Sequence, residues 1–409
     1  MKRIVPLIIL LIFSSSFAGD WAQYMGPRRD GSVAAPGLFS GEKITLEQLW
    51  IKPLGSGFSG ISVANGKLYA MHAEPVGELA AMSPAISGSG MDRITCFDAA
   101  TGKVLWSYGY GKAFAKVGNS EPGPLSTPTV DGNRVYGLGA HGELFCLDTS
   151  NGNPVWKINI VEELGSKPRE VGVTTSPLIY GYYLILNVGD QNNKGIAAFN
   201  KTTGKLAWSM GAEAITFQTP ALITHNGEKQ VLSLSKDKMR GLEPTTGRLI
   251  WEEQSRDWIQ AIPIGQDKIL SGNYHGFALY QYTGMYNLFN IREVWYNENM
   301  TLEYNMPVHH QGYLYGFKRG FLTCLNLESG EKVWNSREPG NGMAILVDGH
   351  LAITTYKNGG FHIARASSKG YEERASLDLF EKGGLTAPSY ADGVFYIRSY
   401  AQIAAVKVK

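Results

Sequence analysis

The sequence predicts an all-β protein, an eight-bladed β-propeller of four-stranded antiparallel blades. One observation is a repeated unit in which a Thr-Gly or Asn-Gly turn precedes a short strand that ends in Trp, as in residues 101–106. Another is the period, because the Trp residues from Trp50 to Trp334 are separated by 56, 50, 52, 43, 44 and 39 residues. Such a period fits four strands per unit and is too long for leucine-rich repeats and most helical repeats.

The repeated Trp residues are predicted to be structural. Intact copies of the unit end at Trp106, Trp156, Trp208, Trp251 and Trp334. A degenerate copy ends at Trp295, a copy without Trp ends near Phe380, and Trp50 matches the strand without the turn. A large ring at this position can bury roughly 150–250 Å² between neighbouring blades. We therefore interpret these side chains as packing residues rather than as ligand contacts.

The interval that leads to Trp156 shows how one unit folds. Residues 126–130, 135–138 and 144–148 have the alternating apolar pattern of strands rather than of helices. Gly-containing turns separate them, and Gly supplies the positive φ that tight hairpin turns require. A fourth strand then ends at Trp156. The unit is therefore a four-stranded antiparallel blade.

The count of inner strands predicts how the ring closes. These strands are expected near Ser59, Thr127, Thr175, Thr219, Ala261, Met306, Ala344 and Ala387. The last blade, residues 386–409, supplies only three strands, and the strand around Trp50 precedes the first blade. We predict that this N-terminal strand completes the last blade, because closure leaves no unpaired terminal edge. Residues 46–409 are then one propeller domain after an N-terminal extension at 19–45, and seven blades is the alternative.

The first eighteen residues are typical of a secretory signal peptide. Lys2 and Arg3 are followed by an apolar run at 4–13 and by a small-x-small cleavage site at 16–18. The run is shorter than the roughly 20 apolar residues that a membrane-spanning helix needs. No Cys follows the cleavage site, so we expect a periplasmic or secreted protein that is not a lipoprotein.

The charge balance excludes two classes of partner. The chain has 38 Lys and Arg against 36 Asp and Glu, and loss of Lys2 and Arg3 with the signal peptide leaves a net charge near zero. A balanced surface gives no electrostatic basis for binding nucleic acid or an anionic membrane. No later segment is apolar enough to span a bilayer. We expect a monomer.

The cysteines occupy one repeat position in three different blades. Cys96, Cys146 and Cys324 each precede a turn, two residues before an Asp or Asn. An odd number in an exported protein leaves at least one thiol unpaired. Since equivalent positions in separate blades are far apart, we predict three buried free thiols that pack as small hydrophobic side chains.

Strand order assigns the loops to two faces. The turns after the inner strands and the Thr-Gly turns share one side, the turn face. The turns between second and third strands and the blade-to-blade connections share the other, the connection face. Insertions at 72–92, 107–123 and 157–172 all belong to the connection face, above blades one to three. Long loops in a compact fold are usually functional or disordered, so these segments form either a lid or docking surface or disordered loops.

Polar residues are also predicted to gather on the connection face. Those just before inner strands are Glu121, Arg169, Glu170, Gln218, Asp257, Trp258, Glu303, Tyr304 and Asn305. Turns between second and third strands add His141, His275 and Arg319. Each could equally be an ordinary solvated turn residue. His141 and His275 are weak candidates for a cation site, since the further ligands cannot be placed.

The repeat resembles that of the pyrroloquinoline-quinone-like, or quinoprotein-type, propeller family. The segments 98–106 and 148–156 carry the pattern Asp-x-x-Thr-Gly-x-x-x-Trp, with Asn in place of Thr in the second. Residues 20–31 also look like the start of many exported bacterial members. This family includes quinone-dependent alcohol and sugar dehydrogenases and the propeller lipoprotein of the outer-membrane barrel-assembly machinery. The resemblance implies the fold and does not decide among these functions.

A dehydrogenase of this family is expected to hold calcium and the quinone PQQ, with an aromatic platform and a carboxylate base. Candidate carboxylates are Asp257, Glu121 and Glu303, Trp258 is the candidate platform, and other candidate cofactor contacts are Arg169, Gln218, Tyr304 and Asn305. The chain lacks the adjacent cysteines of the alcohol-oxidising branch and a haem-attachment Cys-x-x-Cys-His. It also lacks other common catalytic motifs.

These features favour a non-catalytic binding or scaffold protein without a cofactor. Its partner would be a protein, or a carbohydrate or other small molecule, on the connection face. A PQQ-dependent alcohol or sugar dehydrogenase with calcium in the central funnel is the alternative.

Overall fold

Eight antiparallel sheets form the blades of the ring, in agreement with the predicted fold class. The computed structural model describes residues 19–74, 90–114, 123–165, 172–189, 195–211, 218–235, 238–256, 258–284, 289–302, 306–384 and 386–409. The first two strands, β1 (Ser32–Val33) and β2 (Leu46–Pro53), come before the first blade and join the last two blades instead.

Blades one to four follow in chain order, each with its first strand innermost. Blade one has β3 (Ser62–Ala64), β4 (Lys67–Ala73), β5 (Met91–Asp98) and β6 (Val104–Lys112). Blade two has β7 (Thr129–Asp131), β8 (Arg134–Leu138), β9 (Glu143–Asp148) and β10 (Pro154–Asn159). Blade three has β11 (Leu178–Tyr180), β12 (Tyr183–Asn187), β13 (Ile196–Asn200) and β14 (Leu206–Met210). Blade four has β15 (Ala221–His225), β16 (Glu228–Leu234), β17 (Lys238–Leu242) and β18 (Leu249–Gln254).

Blades five to eight complete the ring. Blade five has β19 (Gln260–Ile264), β20 (Lys268–Gly272), β21 (Phe277–Thr283) and β22 (Asn290–Asn297). Blade six has β23 (Val308–His310), β24 (Tyr313–Lys318), β25 (Phe321–Asn326) and β26 (Lys332–Ser336). Blade seven has β27 (Gly342–Val347), β28 (His350–Thr355), β29 (Gly360–Arg365) and β30 (Glu373–Asp378). Blade eight has β31 (Ser389–Ala391), β32 (Val394–Arg398), β33 (Gln402–Val408) and, outermost, β2.

The N-terminal strand closes the ring, as the count of strands predicted. Strand β2 pairs antiparallel with β33 from Leu46 opposite Val408 to Pro53 opposite Gln402. The pairing continues past both strands, where Thr45 and Lys409 exchange backbone hydrogen bonds of 3.0 and 2.9 Å. Strand β2 and the last strand of the chain are therefore held in one sheet.

In six of the eight blades the Trp of the outer strand bonds to the blade that follows it. The indole N–H of Trp50 donates to the carbonyl of Ala99 at 3.1 Å, and that of Trp106 donates to Thr149 at 3.2 Å. Equivalent bonds from Trp156, Trp208, Trp295 and Trp334 reach the next blade at 3.0, 3.1, 2.8 and 3.0 Å. Trp50 therefore does in blade eight what the other Trp residues do, although it comes from the other end of the chain.

The Thr-Gly turns exist because the neighbouring indole needs the space. A Cβ added to Gly102 would lie 2.7 Å from the ring of Trp50, and one added to Gly152 would lie 2.6 Å from Trp106. Both glycines also have a positive φ, 68° and 74°, which favours Gly over any other residue. The Gly and the Trp of the motif thus belong to one contact between consecutive blades.

Two blades depart from this contact. The Trp251 indole donates within its own blade, to Gln230 Oε1 at 2.7 Å, and its ring stacks on Phe289 of blade five at 4.5 Å. In blade seven the residue at the Trp position is Ala375, opposite Ile363, so the assignment of this position to Phe380 was wrong. Blade eight has no turn between its third and fourth strands, because these come from opposite ends of the chain. An indole at position 375 in blade seven would therefore find no turn glycine in blade eight to pack on.

The three cysteines are free and buried. Each lies between a Tyr on the second strand and a Trp on the fourth, as Cys96 lies between Tyr69 and Trp106. Burial raises the pKa of Cys96 to about 12 and those of Cys146 and Cys324 to about 11. The thiols therefore stay protonated and pack between the Tyr and the Trp of the same blade.

The predicted insertions are shorter than the sequence pattern indicated. The fourth strand of blade one continues to Lys112, so residues 107–112 are strand rather than loop. Part of the insertion at 157–172 is a short helix, α1 (Ile160–Leu164), which was not predicted. The Asn159 side chain caps it by accepting from the amides of Val161 and Glu162, and Gly165 ends it at a φ of 70°.

The closing contact can be tested with Trp50→Ala. We expect a loss of about 3–5 kcal/mol in the free energy of unfolding, because the substitution removes a buried ring and its bond to blade one. The matched control is Leu49→Ala, next to Trp50 on the same strand and 40% exposed, with an expected loss below about 1 kcal/mol. Denaturant unfolding followed by circular dichroism measures both. Equal losses would show that Trp50 does not secure the closure.

The thiols can be tested by titration with a chromogenic disulfide reagent. At pH 8 the native protein should react slowly, because burial keeps the thiolate forms scarce. Unfolding without reductant should then release three thiols per chain, the number of cysteines in the sequence. A count of one would mean that two cysteines form a disulfide and that the repeat alignment is wrong.

Candidate functional site on the connection face

The N-terminal segment, predicted as an extension at 19–45, packs along the turn face. Trp21 forms an antiparallel bridge with Val63 in the inner strand of blade one, whose amide donates to the Trp21 carbonyl at 2.9 Å. The next carbonyl, that of Ala22, accepts from the amide of Val130 in blade two at 2.7 Å. The segment therefore begins against two adjacent blades.

The same segment then crosses the ring. The Arg29 guanidinium donates to the carbonyl of Pro177 in blade three at 3.2 Å. The Gly31 carbonyl accepts from the amide of Leu346 in blade seven at 2.8 Å, and a Cβ on Gly31 would lie 3.1 Å from Val308 in blade six. Blades two and six are opposite each other in a ring of eight. The segment therefore spans the channel mouth on the turn face.

Inner strands on the connection side bond directly to one another. The amide of Gly60 donates to Thr127 Oγ1 at 3.1 Å, and the amide of Thr127 donates to Ser176 Oγ at 2.9 Å. The amide of Ser176 donates to Thr219 Oγ1 at 3.0 Å, and that of Thr219 to Gln260 Oε1 at 3.1 Å. These side chains join blades one to five, so much of this part of the funnel wall satisfies its own polar groups.

Gln218, a candidate cofactor contact, lies inside the wall. Its Oε1 accepts from Asn187 Nδ2 and from the amide of Leu234, both at 2.6 Å, and its Nε2 donates to the Leu232 carbonyl at 3.3 Å. The side chain is fully buried. These bonds link blades three and four, and the buried amide group is not exposed to the funnel.

Trp258, the candidate stacking platform, is also fully buried. Its indole N–H donates to the Tyr280 hydroxyl at 3.1 Å, and its ring packs 6.5 Å from the Tyr280 ring and 6.3 Å from the Tyr296 ring, centre to centre. Both rings belong to blade five. In this position the indole packs in the core and offers no surface on which a quinone could stack.

The three turn residues lie where strand order predicted, exposed on the connection face. His141 is in blade two, His275 in blade five and Arg319 in blade six. The two His residues are therefore three blades apart. Among the described residues no three His, Cys, Asp or Glu side chains are grouped so that they could hold a metal ion.

Seven other candidates lie outside the described residues. They are Glu121, Arg169, Glu170, Asp257, Glu303, Tyr304 and Asn305. The residues on either side of 257 are well anchored: Arg256 makes two bonds of 2.9 Å to Glu293, and its guanidinium lies 5.0 Å from the centre of the Tyr296 ring. Of the residues assigned to a quinone site, the two that can be placed, Gln218 and Trp258, do not fit that group.

Three buried polar side chains that the sequence did not reveal lie on the connection side of blades eight and one. They are Asp92 at the start of β5 and Tyr110 near the end of β6, both in blade one, and Arg398 at the end of β32 in blade eight, each about 1% exposed. Strand direction places all three on the connection face. Asp92 had entered the sequence analysis only as the end of an insertion, and nothing in the repeat marked Tyr110 or Arg398.

In the part of the chain that the structure describes, these three side chains belong to a wider group with buried polar atoms that have no hydrogen-bond partner. Within the described ranges, those at the connection side of blades eight, one, two and three are Asp92 Oδ1, Tyr110 Oη, Ser126 Oγ, Thr174 Oγ1, Thr175 Oγ1, Arg398 Nε and Tyr400 Oη. Buried polar atoms are normally paired with protein or ordered water. Among the described residues, this half of the ring is therefore where a bound water, ion or ligand would satisfy the most groups.

Burial sets the protonation states of Asp92, Tyr110 and Arg398. It raises the pKa of Asp92 to about 7, against the opposing effect of a hydrogen bond from the Phe114 amide at 3.3 Å. It raises the pKa of Tyr110 well above its usual value and lowers that of Arg398 to about 9. At neutral pH the phenol is therefore neutral and the guanidinium is still charged, while Asp92 is near its midpoint.

The repeat region identifies the family. Residues 90–336, more than half of the chain, match the family model described as outer membrane protein assembly factor BamB. The chain belongs to this family. BamB from Legionella pneumophila is 28% identical over 178 residues, which are 41% of this chain and 45% of that protein. The match thus spans less than half the length of that curated relative.

Solved structures share the fold. BamB from Moraxella catarrhalis superimposes with a TM-score of 0.61 and 14% identity, over 88% of this chain and 97% of that one. A quinohemoprotein alcohol dehydrogenase from Comamonas testosteroni gives a TM-score of 0.65 and 13% identity, over 95% and 80%. At such identities the likeness shows the propeller architecture alone. No helix in the described part of the chain is long and apolar enough to cross a membrane.

The raised pKa of Asp92 predicts how stability depends on pH. Between the ordinary pKa of 3.8 and about 7 the folded state binds more protons than the unfolded state, so the free energy of unfolding falls as pH rises through this range. Asp92→Asn removes the free-energy cost of burying an ionised carboxylate. We expect a small gain in stability at pH 4 and a gain of order 1–4 kcal/mol at pH 8, measured by denaturant unfolding at both values.

Asp98→Asn is the matched control, because hydrogen bonds from Thr101 lower the pKa of this exposed carboxyl. The ionised Asp98 carboxylate stabilises the folded state above the ordinary pKa of 3.8, and this stabilisation is lost as pH falls. The control should therefore be destabilised more at pH 8 than at pH 4. A gain at Asp92→Asn that does not change with pH would show that Asp92 is not held as a buried acid.

Proposed function

We propose that the protein is a non-catalytic binding or scaffold protein of the periplasm that takes part in the assembly of outer-membrane proteins. We further propose that its connection face holds a protein partner. One observation carries the choice of face: the segment from Trp21 to Gly31 runs over the opposite mouth of the channel and bonds to inner strands on both sides of the ring. A partner on the turn face would meet this segment rather than the channel.

The composition of the connection face supports a protein partner. Tyr274, next to His275 in the blade-five turn, is 61% exposed. Arg319 extends a similar turn in blade six and has a φ of 49°. Aromatic and Arg side chains are enriched at the centres of protein interfaces. With nearly equal numbers of basic and acidic residues in the chain, shape and local contacts would decide binding more than long-range charge.

The class of partner is inferred from the family. The family and its curated relative carry the name of an outer membrane protein assembly factor. We infer that this chain acts at the same place, as a periplasmic platform on which an envelope protein docks. Catalysis is not part of this proposal, because the placed candidates for a quinone site are built into the wall of the ring.

Site-directed photo-crosslinking tests the proposed face. A photoreactive phenylalanine at His141, at His275 or at Arg319 should cross-link in cells to a protein of the outer-membrane assembly machinery, identified by mass spectrometry. The matched controls are three exposed residues in turns on the opposite face, Thr101, Asn151 and Ser329. They should yield at most a tenth of the cross-linked product, because they point away from the proposed interface.

Two results would contradict the proposal. Equal cross-linking from both sets of positions, or cross-linked partners that include no assembly protein, would remove the case for this face. Oxidation of an alcohol by the purified protein with added PQQ and calcium, above the rate without protein, would favour the dehydrogenase alternative. A stable interaction partner together with background oxidation is the result that we expect.

A further inference from the structure

The segment between β1 and β2, residues 34–45, is held against the turn side of blade seven. The amide of Gly37 donates to Asp348 Oδ2 at 3.1 Å, in the turn after the inner strand of that blade. Two residues later the buried Phe39 ring packs on the imidazole of His350, with the ring centres 4.3 Å apart. The end of one turn in blade seven therefore binds the middle of the segment through a carboxylate and an imidazole.

The hydrogen bond of His350 determines which of its nitrogens carries the proton. Its Nδ1 lies 3.0 Å from the Asp348 carbonyl, which can only accept, so Nδ1 carries the hydrogen. Its Nε2 is buried and has no hydrogen-bond partner among the described residues. A second proton would place a charged N–H at Nε2 without an acceptor, and a buried donor of this kind is costly. The arrangement therefore requires the neutral imidazole.

Two arginines and a second histidine lie around this imidazole. Arg365 is directly opposite His350 on β29, and Arg374 on the outer strand β30 donates to two carbonyls of the segment at 3.3 and 3.2 Å. From blade six, His310 Nε2 lies 3.4 Å from the position that a Cβ on Gly349 would take. Burial lowers the pKa of His350, and the charges of both arginines lower it further. Burial also lowers the pKa of His310, so both rings are mostly neutral at pH 7.

The acids near the imidazole already have partners. Asp348 accepts from the segment, and its bond and charge raise the pKa of the imidazole by less than burial lowers it. Glu372 forms an ion pair with Arg365 at 3.4 Å. On the segment itself, Glu42 and Lys43 are exposed and carry opposite charges. Within the described ranges, no carboxylate accepts a hydrogen bond from the buried Nε2.

We propose that His350 is an acid-sensitive latch for residues 35–40: the neutral imidazole holds this part of the segment on blade seven, and a second proton releases it. In the released state Nε2 reaches water, so the charged ring no longer lacks a partner. Because the closed state binds fewer protons, the ratio of released to closed segment rises as pH falls below the ordinary pKa of 6.5. The latch is on the turn face and does not depend on the proposed protein-binding function.

The release is local, because the segment is anchored on both sides of residues 35–40. Before them, β1 pairs with the inner strand of blade seven. After them come the two carbonyls that Arg374 binds and then β2, whose pairing with β33 closes the ring. Protonation of His350 therefore loosens the covering of the turn face while the ring stays closed.

Hydrogen exchange followed by mass spectrometry at pH 7.5 and 5.0 tests the latch. Protection factors are compared, because they remove the intrinsic pH dependence of exchange. In the wild type a peptide that covers residues 35–40 should lose protection at least about threefold at pH 5.0, since three of its amides are bonded in the closed state. Peptides from the strands of blade four should keep their protection, which separates release from unfolding. An unchanged factor at residues 35–40 would refute the proposal.

His350→Phe is the decisive variant, because it keeps a ring for Phe39 to pack on and cannot take up a proton. We expect residues 35–40 to have the same protection at both pH values in this variant. The matched control is His225→Phe, which replaces a histidine in blade four whose ring also contacts a phenylalanine, Phe289, at 5.1 Å. The control should keep the pH dependence of the wild type. A loss in His350→Phe as large as that in the wild type would overturn the proposal.

Nuclear magnetic resonance gives a readout that does not depend on how the variant packs. In protein with labelled histidine, the ring resonance that disappears in His350→Phe belongs to His350. In the wild type this resonance should titrate with a midpoint below 6.5, the ordinary value. A midpoint at or above 6.5 would show that closure does not disfavour the charged ring, and the latch would then be wrong. Failure of the cross-linking experiment would leave this result unaffected, since the latch needs no protein partner.

Discussion

The pairing of β2 with β33 is the constraint on which the rest of the molecule depends. A propeller blade buries its faces only against its two neighbours, so an open ring would expose one face of blade one and one of blade eight. The pairing places Trp50 where its indole reaches Ala99 and packs over Gly102. Blades one, two, three, five and six repeat this contact with a local Trp and a turn in the next blade. The closure is therefore the one blade interface that depends on bringing distant parts of the chain together.

The same N-terminal segment also covers one face of the ring. Before it reaches blade eight it bonds to blades one, two, three and seven on the turn face. A segment that must run from blade one to the outer edge of blade eight could follow the rim, but this one crosses the mouth of the channel. Its two roles are thus coupled: the strand that closes the ring is delivered by a segment that covers one end of it.

Local patterns predicted the features that repeat, and missed those that depend on a single distant contact. The Trp period, the alternating strands and the missing fourth strand of the last blade were enough to predict eight blades and their closure. Strand β1 was missed because two residues, Ser32 and Val33, carry no strand pattern and pair only with β27. Gln218 and Trp258 were taken for site residues because they are polar or aromatic and precede inner strands. Their hydrogen bonds to other strands, which place them in the wall, have no signature in sequence.

Arg398 illustrates why a contact between two blades can be missed when only the sequence repeat is considered. Six blades use a Trp contact on the turn side of the interface, and that contact is recorded in a motif. On the opposite side the seam between blades eight and one depends instead on a guanidinium that reaches three backbone carbonyls. Backbone acceptors carry no residue preference, so nothing in the sequence that leads into blade one marks this contact. The guanidinium is therefore a second link across the closure that only the folded chain reveals, because its acceptors come from Gly55, Ser59 and Met71 while Arg398 comes from the last blade.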